Sequence, residues 1–367
     1  ISIDDEHESV SKTLEYAYDD WCIAQMAQIL NKPKDYEYFM QRSQNWKNLF
    51  NWENTFIQPK KNGGWDKPFD PREVNNNYTE ANAWQYTFFV PQDIPGMIAA
   101  YGGPEKFEAK LDEMFTTESK TTGREQVDIT GLIGQYAHGN EPSHHVAYLY
   151  NYVGKPEKTK EKVHYILDNF YTNTPDGLIG NEDCGQMSAW YVLSSLGIYQ
   201  VTPGIEFWTT INPPFFESVQ INLFDNKPKS VNLSYLKTGI FSKLDLRNNK
   251  TNEFENIIPV PVIQAESKAF KSFLEITLKH SNEGAIWYRI IDSDNKDPKF
   301  IQSTKDKIII TESSKIEAYF IGSNGYTLAK SNTISATFFK KPNNYSINIK
   351  SVYNPQYHAG GPEGLLD

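Results

Sequence analysis

Pro203 separates two textures, and that change constrains the fold more than any other feature of the chain. Before it, apolar residues recur at helical spacing. Ser11–Leu30 sets Leu14, Ala17, Tyr18, Trp21, Ala24, Gln25 and Gln28 mostly on one face, opened by a serine and closed before Pro33. Tyr36–Phe50 repeats the pattern with Tyr36, Phe39, Met40, Trp46, Leu49 and Phe50. Further helices are predicted over Ala81–Val90, Ile94–Tyr101, Glu105–Phe115, Ser143–Val153, Pro156–Phe170 and Met187–Leu196. The polar connections Asn51–Asn77, Thr121–Gly139 and Thr174–Gln186 are long, whereas Gly102-Gly103-Pro104 and Gly154 make tight breaks. Long loops in compact domains are usually functional. Alternating long and short connections suit α/α hairpins set in a ring, with the long loops at one end; a plain helical bundle reads similarly.

After Pro203 the period shortens. Phe207–Ile211, Val219–Leu223, Val231–Leu236, Phe273–Leu278, Ala285–Ile291, Lys307–Ile310, Lys315–Ile321 and Thr333–Phe339 read as short strands between clusters of Asn, Asp, Gly, Ser and Lys. Their regular spacing predicts sandwich packing. The expected division is a helical domain over 1–204, a strand-rich appendage over 205–258, a small sandwich over 259–342 and the opening of another module over 343–367.

Composition excludes some functions. A net charge of −10 argues against nucleic acid and anionic membrane surfaces as partners, because a phosphate backbone needs a basic face. No apolar run reaches the length of a membrane-spanning helix. The start, ISIDDEHESV, has neither the basic region nor the apolar core of a signal peptide, and no initiator Met; the chain reads as a fragment of a longer precursor. Aromatic content is 14%, which suits sugar-facing pockets as well as large cores. Cys22 and Cys184 have no metal-type spacing, and their pairing is open.

Chemistry concentrates where long loops meet helices. In GQYAHGNEPSHHVAYLYNY (134–152), Asn140 and Glu141 precede Pro142, which suits a first helical turn. Their hard oxygens at a helix mouth fit a calcium ion, and equally an N-cap and its dipole. His144 and His145, being adjacent, cannot both face one metal from a helix; at least one binds sugar or belongs to the core, and His138 is equally open. In NNNYTEANAWQYTFFVPQD (75–93), Glu80 stands at a loop–helix boundary beside Trp84 and Tyr86. Partial desolvation would raise its pKa and suit a general acid; the plainer alternative is a helix capped by Thr79. In GLIGNEDCGQMSAWYVLSSLGIYQVTPG (177–204), Glu182 and Asp183 are adjacent acids in a glycine-bounded turn, one available as a base or metal ligand, or both simply solvated. An acid, a base and an oxygen-ligand site are what two-carboxylate glycoside hydrolysis requires. Nucleophile-elbow, phosphate-loop and zinc-helix motifs are absent from the sequence.

TLEYAYDDW (13–21), FDPREVNNNYTEANAWQYTFFVPQD (69–93), YAHGNEPSHHVAYLYNYVG (136–154) and GNEDCGQMSAWYVLSSLGIYQVTPG (180–204) resemble, in order, glycoside hydrolase family 92, the calcium-dependent exo-α-mannosidases. The resemblance implies a multidomain protein: a partial (α/α)6-type toroid followed by β-sandwich-like segments, with an N-terminal β-sandwich domain of the same protein as partner to the site. It implies inverting hydrolysis of terminal α-mannosides of glycans, secreted or periplasmic, with Ca2+ on O2 and O3 of the terminal mannose. Carried over by motif, Glu80 is the general acid and Asp183 the general base; Asn140 and Glu141 fall in the segment supplying calcium ligands, and Trp84, His138, His144, His145 and Glu182 are expected around the substrate. Two departures stand out. Many relatives read GDEDNG where this chain reads GNEDCG, so Asn181 and Cys184 replace an Asp and an Asn. Some relatives that cleave mannosyl phosphodiesters carry Gln at the acid position, and Glu80 argues for a leaving group that needs a proton. A glycan-binding fragment without its own activity is the non-enzymatic alternative. Residues 259–340 are also similar to the small Ig-like module of chitobiase-type glycosidases, and GGPEGLLD to the start of a discoidin-type carbohydrate-binding module.

Overall fold

The structure, a computed structural model, describes residues 1–204, 208–211, 215–216, 218–222, 228–232, 239–241, 257–323 and 328–342. The described residues group into two compact units, those within Ile1–Thr79 and Thr251–Asp367 and those within Glu80–Lys250. This grouping cuts inside the expected helical span 1–204. The expected module over 343–367, Phe207, Leu223 and most of Val231–Leu236 lie outside the described residues.

In the first unit, helix α1 (Ser9–Ile29) buries Val10, Leu14, Ala17, Trp21 and Ala24 and pairs with α2 (Pro33–Arg42). Arg42 Nε donates to both Asp20 oxygens at 3.0 Å, tying the hairpin. The helix expected over Tyr36–Phe50 is shorter than its apolar spacing suggested. It ends at Arg42, a 3-10 turn follows at Asn45–Asn48, and Phe50–Asn51 pairs as a strand with Phe56–Ile57. Of the residues that helical spacing had claimed, Asn45–Asn48 thus form a 3-10 turn and only Phe50 joins a strand.

The C-terminal part of this unit is two sheets around one core. Leu274–Lys279 lies between Val262–Ala265 and Lys307–Ile310. The second sheet runs Ala269–Phe270, Ile334–Lys340, Ser314–Ser323, Gly284–Ile291 and Ile301–Gln302, with Leu328–Lys330 beside Ser314–Ser323. Alternate residues Leu274, Ile276 and Leu278 face Ile308, Ile310, Ile316, Ala318, Ala336 and Phe338 in one cluster. Five of the strands read from sequence in this region recur within a residue or two. The hairpin Lys60–Lys61/Gly64–Trp65 sits against this sandwich: the Asn62 amide donates to Thr337 O at 2.9 Å and accepts from Thr337 N at 2.8 Å.

The second unit carries α3 (Ala83–Thr87), α4 (Ile94–Ala100), α5 (Pro104–Thr116), α6 (Pro156–Asn169) and α7 (Gln186–Ser195). The helix expected over Ser143–Val153 differs in kind: Glu141–Ser143 and Val146–Val153 are 3-10 turns. Eight residues is long for 3-10 geometry. Burial of every side chain from Val146 to Asn151, with α5 and α6 packed against the segment, holds it. Asn151 donates to Thr210 O at 3.1 Å, and Tyr148 OH bonds Ser194 Oγ at 2.7 Å.

Candidate active site

The first loop is anchored just after Glu80. Asn82, not Thr79, caps α3. Its Oδ1 accepts from Trp84 N at 3.0 Å, and Gln85 Oε1 accepts from Asn82 N at 2.8 Å, closing a capping box. The same two side chains reach across to Gln135: Asn82 Nδ2 donates to its Oε1, and Gln85 Nε2 to its backbone oxygen, both at 2.9 Å. Gln135 lies in the turn of the hairpin Leu132–Ile133/Tyr136–Ala137, directly before His138-Gly139-Asn140-Glu141. All three residues are buried. The loop bearing Glu80 and the loop bearing Asn140 and Glu141 are therefore bolted together by buried amides. Asn82→Ala should lower unfolding stability by about 1–3 kcal/mol, since it removes a cap and leaves buried partners unsatisfied. Denaturant unfolding measures this.

Glu80 itself is strained. Its φ is +52°, left-handed backbone that a glutamate rarely adopts. Asn140 Nδ2 donates to its carbonyl at 3.3 Å. Its carboxyl is held above the usual range by desolvation first and then by the negative charges of Asp128 and Glu141; an Asn140 hydrogen bond opposes this, and Asp183 adds a smaller push. Three other loop acids thus bear on one carboxyl.

The second loop keeps Asn140 buried and Glu141 exposed. Asn140 Oδ1 accepts from Glu141 N at 3.2 Å, so the N-cap reading of this asparagine is realised. The histidines around it are packed and neutral. His138 has no exposed surface and bonds Tyr136 OH at 2.8 Å and Tyr171 OH at 2.7 Å, one at each ring nitrogen. His144 Nε2 donates to His138 O at 2.9 Å while Nδ1 accepts from Gln186 Nε2 at 3.1 Å. His145 Nε2 donates to Phe88 O at 2.8 Å. Burial pulls His138 down to about 2 and His144 and His145 each down to about 4. For His144 and His145 the sign follows. Below the usual value near 6.5 the unfolded chain takes up protons that the folded one refuses, so stability falls as pH drops from about 6.5 towards 4. Thermal unfolding between pH 7.5 and 4.5 should show this loss, and His145→Gln should flatten it. Trp84 is buried, with Lys110 Nζ 4.4 Å over its ring.

The third loop turns sharply into α7. Asp183 and Cys184 have φ of +53° and +54°, and Gly185 follows at +100°. Glu182 caps this turn: its carboxylate accepts from Gly185 N and, at 3.2 Å, from Ser188 N. Hydrogen bonds from Ser188, then from Gly185, hold Glu182 below the usual carboxylate range. Its neighbour Asp183 is left exposed. Cys22 and Cys184 are both free thiols.

The second and third loops cross closely. A Cβ on Gly180 would lie 2.9 Å from Gly139 O and 3.0 Å from Gly139 Cα, and one on Gly139 would run into Thr130 Oγ1. At Gly180 the obstacle is backbone, and at Gly139 it is the Thr130 side chain. Asn181 Nδ2 donates to Asp128 Oδ1 at 3.4 Å. Thus Glu80, Asn140, Glu141 and Asp183 are brought together, whereas the ring nitrogens described for the three histidines are turned to protein partners. Asp128 and Gln135 were not picked out from sequence. Both stand in polar loop text with no spacing signal, and only their partners reveal them.

Asn140 and Glu141 supply oxygen donors of the kind calcium takes, and fewer than the roughly six to eight it needs. Among the described residues no three His, Cys, Asp or Glu side chains converge to complete a shell.

The chain has several relatives. It is 30% identical over 237 residues to an uncharacterized secreted glycosidase of Arthroderma benhamiae, spanning 58% of this chain and 28% of that protein. Its fold matches a family GH92 α-mannosidase from Bacteroides thetaiotaomicron, solved in complex with mannoimidazole, at 42% identity and a TM-score of 0.58, over 63% of this chain and 31% of the other. A family GH92 inverting mannosidase from Bacteroides thetaiotaomicron VPI-5482 matches at 32% identity and a TM-score of 0.55, over 72% and 35%. The chain therefore spans about a third or less of the length of these relatives. The model of the glycosyl hydrolase family 92 catalytic domain matches residues 1–258, which with the loop motifs above means that the chain belongs to glycosyl hydrolase family 92.

Proposed function

We propose that the chain is the helical part of the catalytic apparatus of an exo-acting, inverting α-mannosidase, with Glu80 as general acid and Asp183 as general base. The carrying observation is the placing of Glu80: a carboxyl raised above its usual range by desolvation and by the charges of Asp128, Glu141 and Asp183. A carboxyl raised above its usual range beside carboxylates is suited to protonate a leaving oxygen while another takes a proton from water. Glu80 gives its proton to the glycosidic oxygen as the C1–O bond breaks. Asp183 removes a proton from water on the opposite face, and that water's oxygen bonds to C1 with inversion. The two carboxyls then need a separation of roughly 6.5–9.5 Å.

Asn140 and Glu141 would hold calcium, other donors completing its shell. The ion would orient sugar hydroxyls and favour the flattened ring of the transition state. The substrate class is terminal α-mannosides of glycans, α-1,2-linked in the first instance, met outside the cytoplasm. The name of the Arthroderma relative supports export, and among the described residues no helix is long and apolar enough to cross a membrane. The domain division 1–204, 205–258, 259–342 and 343–367 belongs to the same proposal.

The test is mannose release from α-1,2-linked mannobiose by the full-length protein, in calcium and in EDTA. Release that EDTA abolishes and calcium restores is expected. Release of mannose only from a mannosyl phosphodiester would overturn the assignment of Glu80, and binding without release would leave a glycan-binding module.

A further inference from the structure

We propose that Asp128, acting through Asn181, is a positioning residue that sets the base loop against the acid loop; this rests on the reading of Glu80 and Asp183 given above. Asp128 has two neighbours with defined roles. One oxygen accepts from Gln126 Nε2, which holds the carboxylate in place. The other accepts from Asn181 Nδ2 at 3.4 Å, two residues before Asp183. That bond is long and lies at the exposed surface. On its other side, the charge of Asp128 is the largest of the carboxylate influences on Glu80. One side chain therefore touches the base loop and bears electrostatically on the acid.

The same segment carries a second contact. Thr130 Oγ1 lies 3.2 Å from where a Cβ of Gly180 would be and also blocks a Cβ at Gly139. This hydroxyl is buried and has no hydrogen-bond partner among the described residues, so it acts here as a filler. Asp128 and Thr130 thus meet the turn at Asn181 and Gly180, with Gln126 behind Asp128. The strained backbone at Asp183 and Cys184 does not hold itself, and needs contacts of this sort to stay populated.

The polarity of the pair matters. Asn181 must donate because Asp128 only accepts. An aspartate at 181 would set two carboxylates against each other. An asparagine at 128 facing an aspartate at 181 reverses donor and acceptor, and its own oxygen still receives Gln126. The pair is therefore testable by exchange rather than by deletion.

The experiment uses the full-length protein with Asp128→Asn, Asn181→Asp and the double exchange. Two readouts are taken: kcat for mannose release, and hydrogen exchange of the backbone amides over 180–185. Each single variant should speed exchange in that loop and lower kcat, Asn181→Asp the more. The double variant should slow exchange towards the wild-type rate and recover kcat by about tenfold or more over the product of the two losses, as contacting residues do. Unchanged exchange in the single variants, or losses that simply add in the double, would overturn the proposal. If the wild-type protein releases no mannose, the functional reading fails, and the exchange data still decide whether the pair holds the loop. Global thermal unfolding of each variant separates loop loosening from loss of the fold.

Discussion

Glu80→Gln lowers kcat on an unactivated α-mannoside by about 10²–10⁴-fold, the usual contribution of a positioned proton donor. The glutamine keeps the size of the side chain and its hydrogen bond from Asn140, and removes only the proton. The loss should therefore depend on the leaving group. With an aryl mannoside whose phenolate departs unassisted, the same variant should fall by less than tenfold. Comparing kcat on mannobiose and on such an aryl mannoside is the measurement. Equal losses on both would mean that Glu80 positions substrate instead of donating a proton. The desolvation that lifts Glu80 predicts which form is active: the protonated acid, so activity on mannobiose should decline as the pH rises past its raised pKa.

Asp183→Asn is expected to be as damaging, about 10²–10⁴-fold in kcat, and to show no such dependence. Water must be deprotonated whatever the leaving group, so both substrates should lose alike. Substrate affinity should change little, because the asparagine retains shape in a turn already fixed by Glu182. Full activity in Asp183→Asn would place the base elsewhere and remove the reason for the strained turn. Together the variants make a diagonal test: one effect scales with leaving-group ability and the other does not.

Much of the fold is legible in the sequence. The stripe Leu14, Ala17, Trp21 and Ala24 gave α1 its buried face because four positions apart on a helix is one side. Leu274, Ile276 and Leu278 signalled a strand with one buried face, and they face the core as that alternation requires. Spacing misled where two periods compete. Val146, Leu149, Tyr150 and Val153 satisfy an α-helix, yet i and i+3 neighbours also align in 3-10 geometry, and packing chose the latter. The end of α2 was hidden because the partner that turns Phe50 into a strand residue, Ile57, lies beyond a tight loop.

In the site, residue types showed where acids gather but not how the chain bends beneath them. Neither Glu80 nor Asp183 is a glycine, so nothing in the letters announces left-handed backbone. The histidines next to Asn140 attract attention by their chemistry, whereas the structure buries them with ring nitrogens on protein partners: two tyrosine hydroxyls for His138, His138 O and Gln186 for His144, and Phe88 O for His145. Asp128 carries no local signature at all; its meaning comes from Asn181 and Glu80, distant in the chain.

The crossing of Gly139 over Gly180 has a consequence for anyone who wishes to redirect this scaffold. A library randomised at both positions should return glycine at 180 whatever activity is selected, since a Cβ there meets the Gly139 backbone, whereas position 139 should open only together with a change at Thr130, whose side chain fills that space. New specificity would instead have to be drawn from side chains with open space around them, such as the exposed Val127, which can change without shifting the spacing of the two loops.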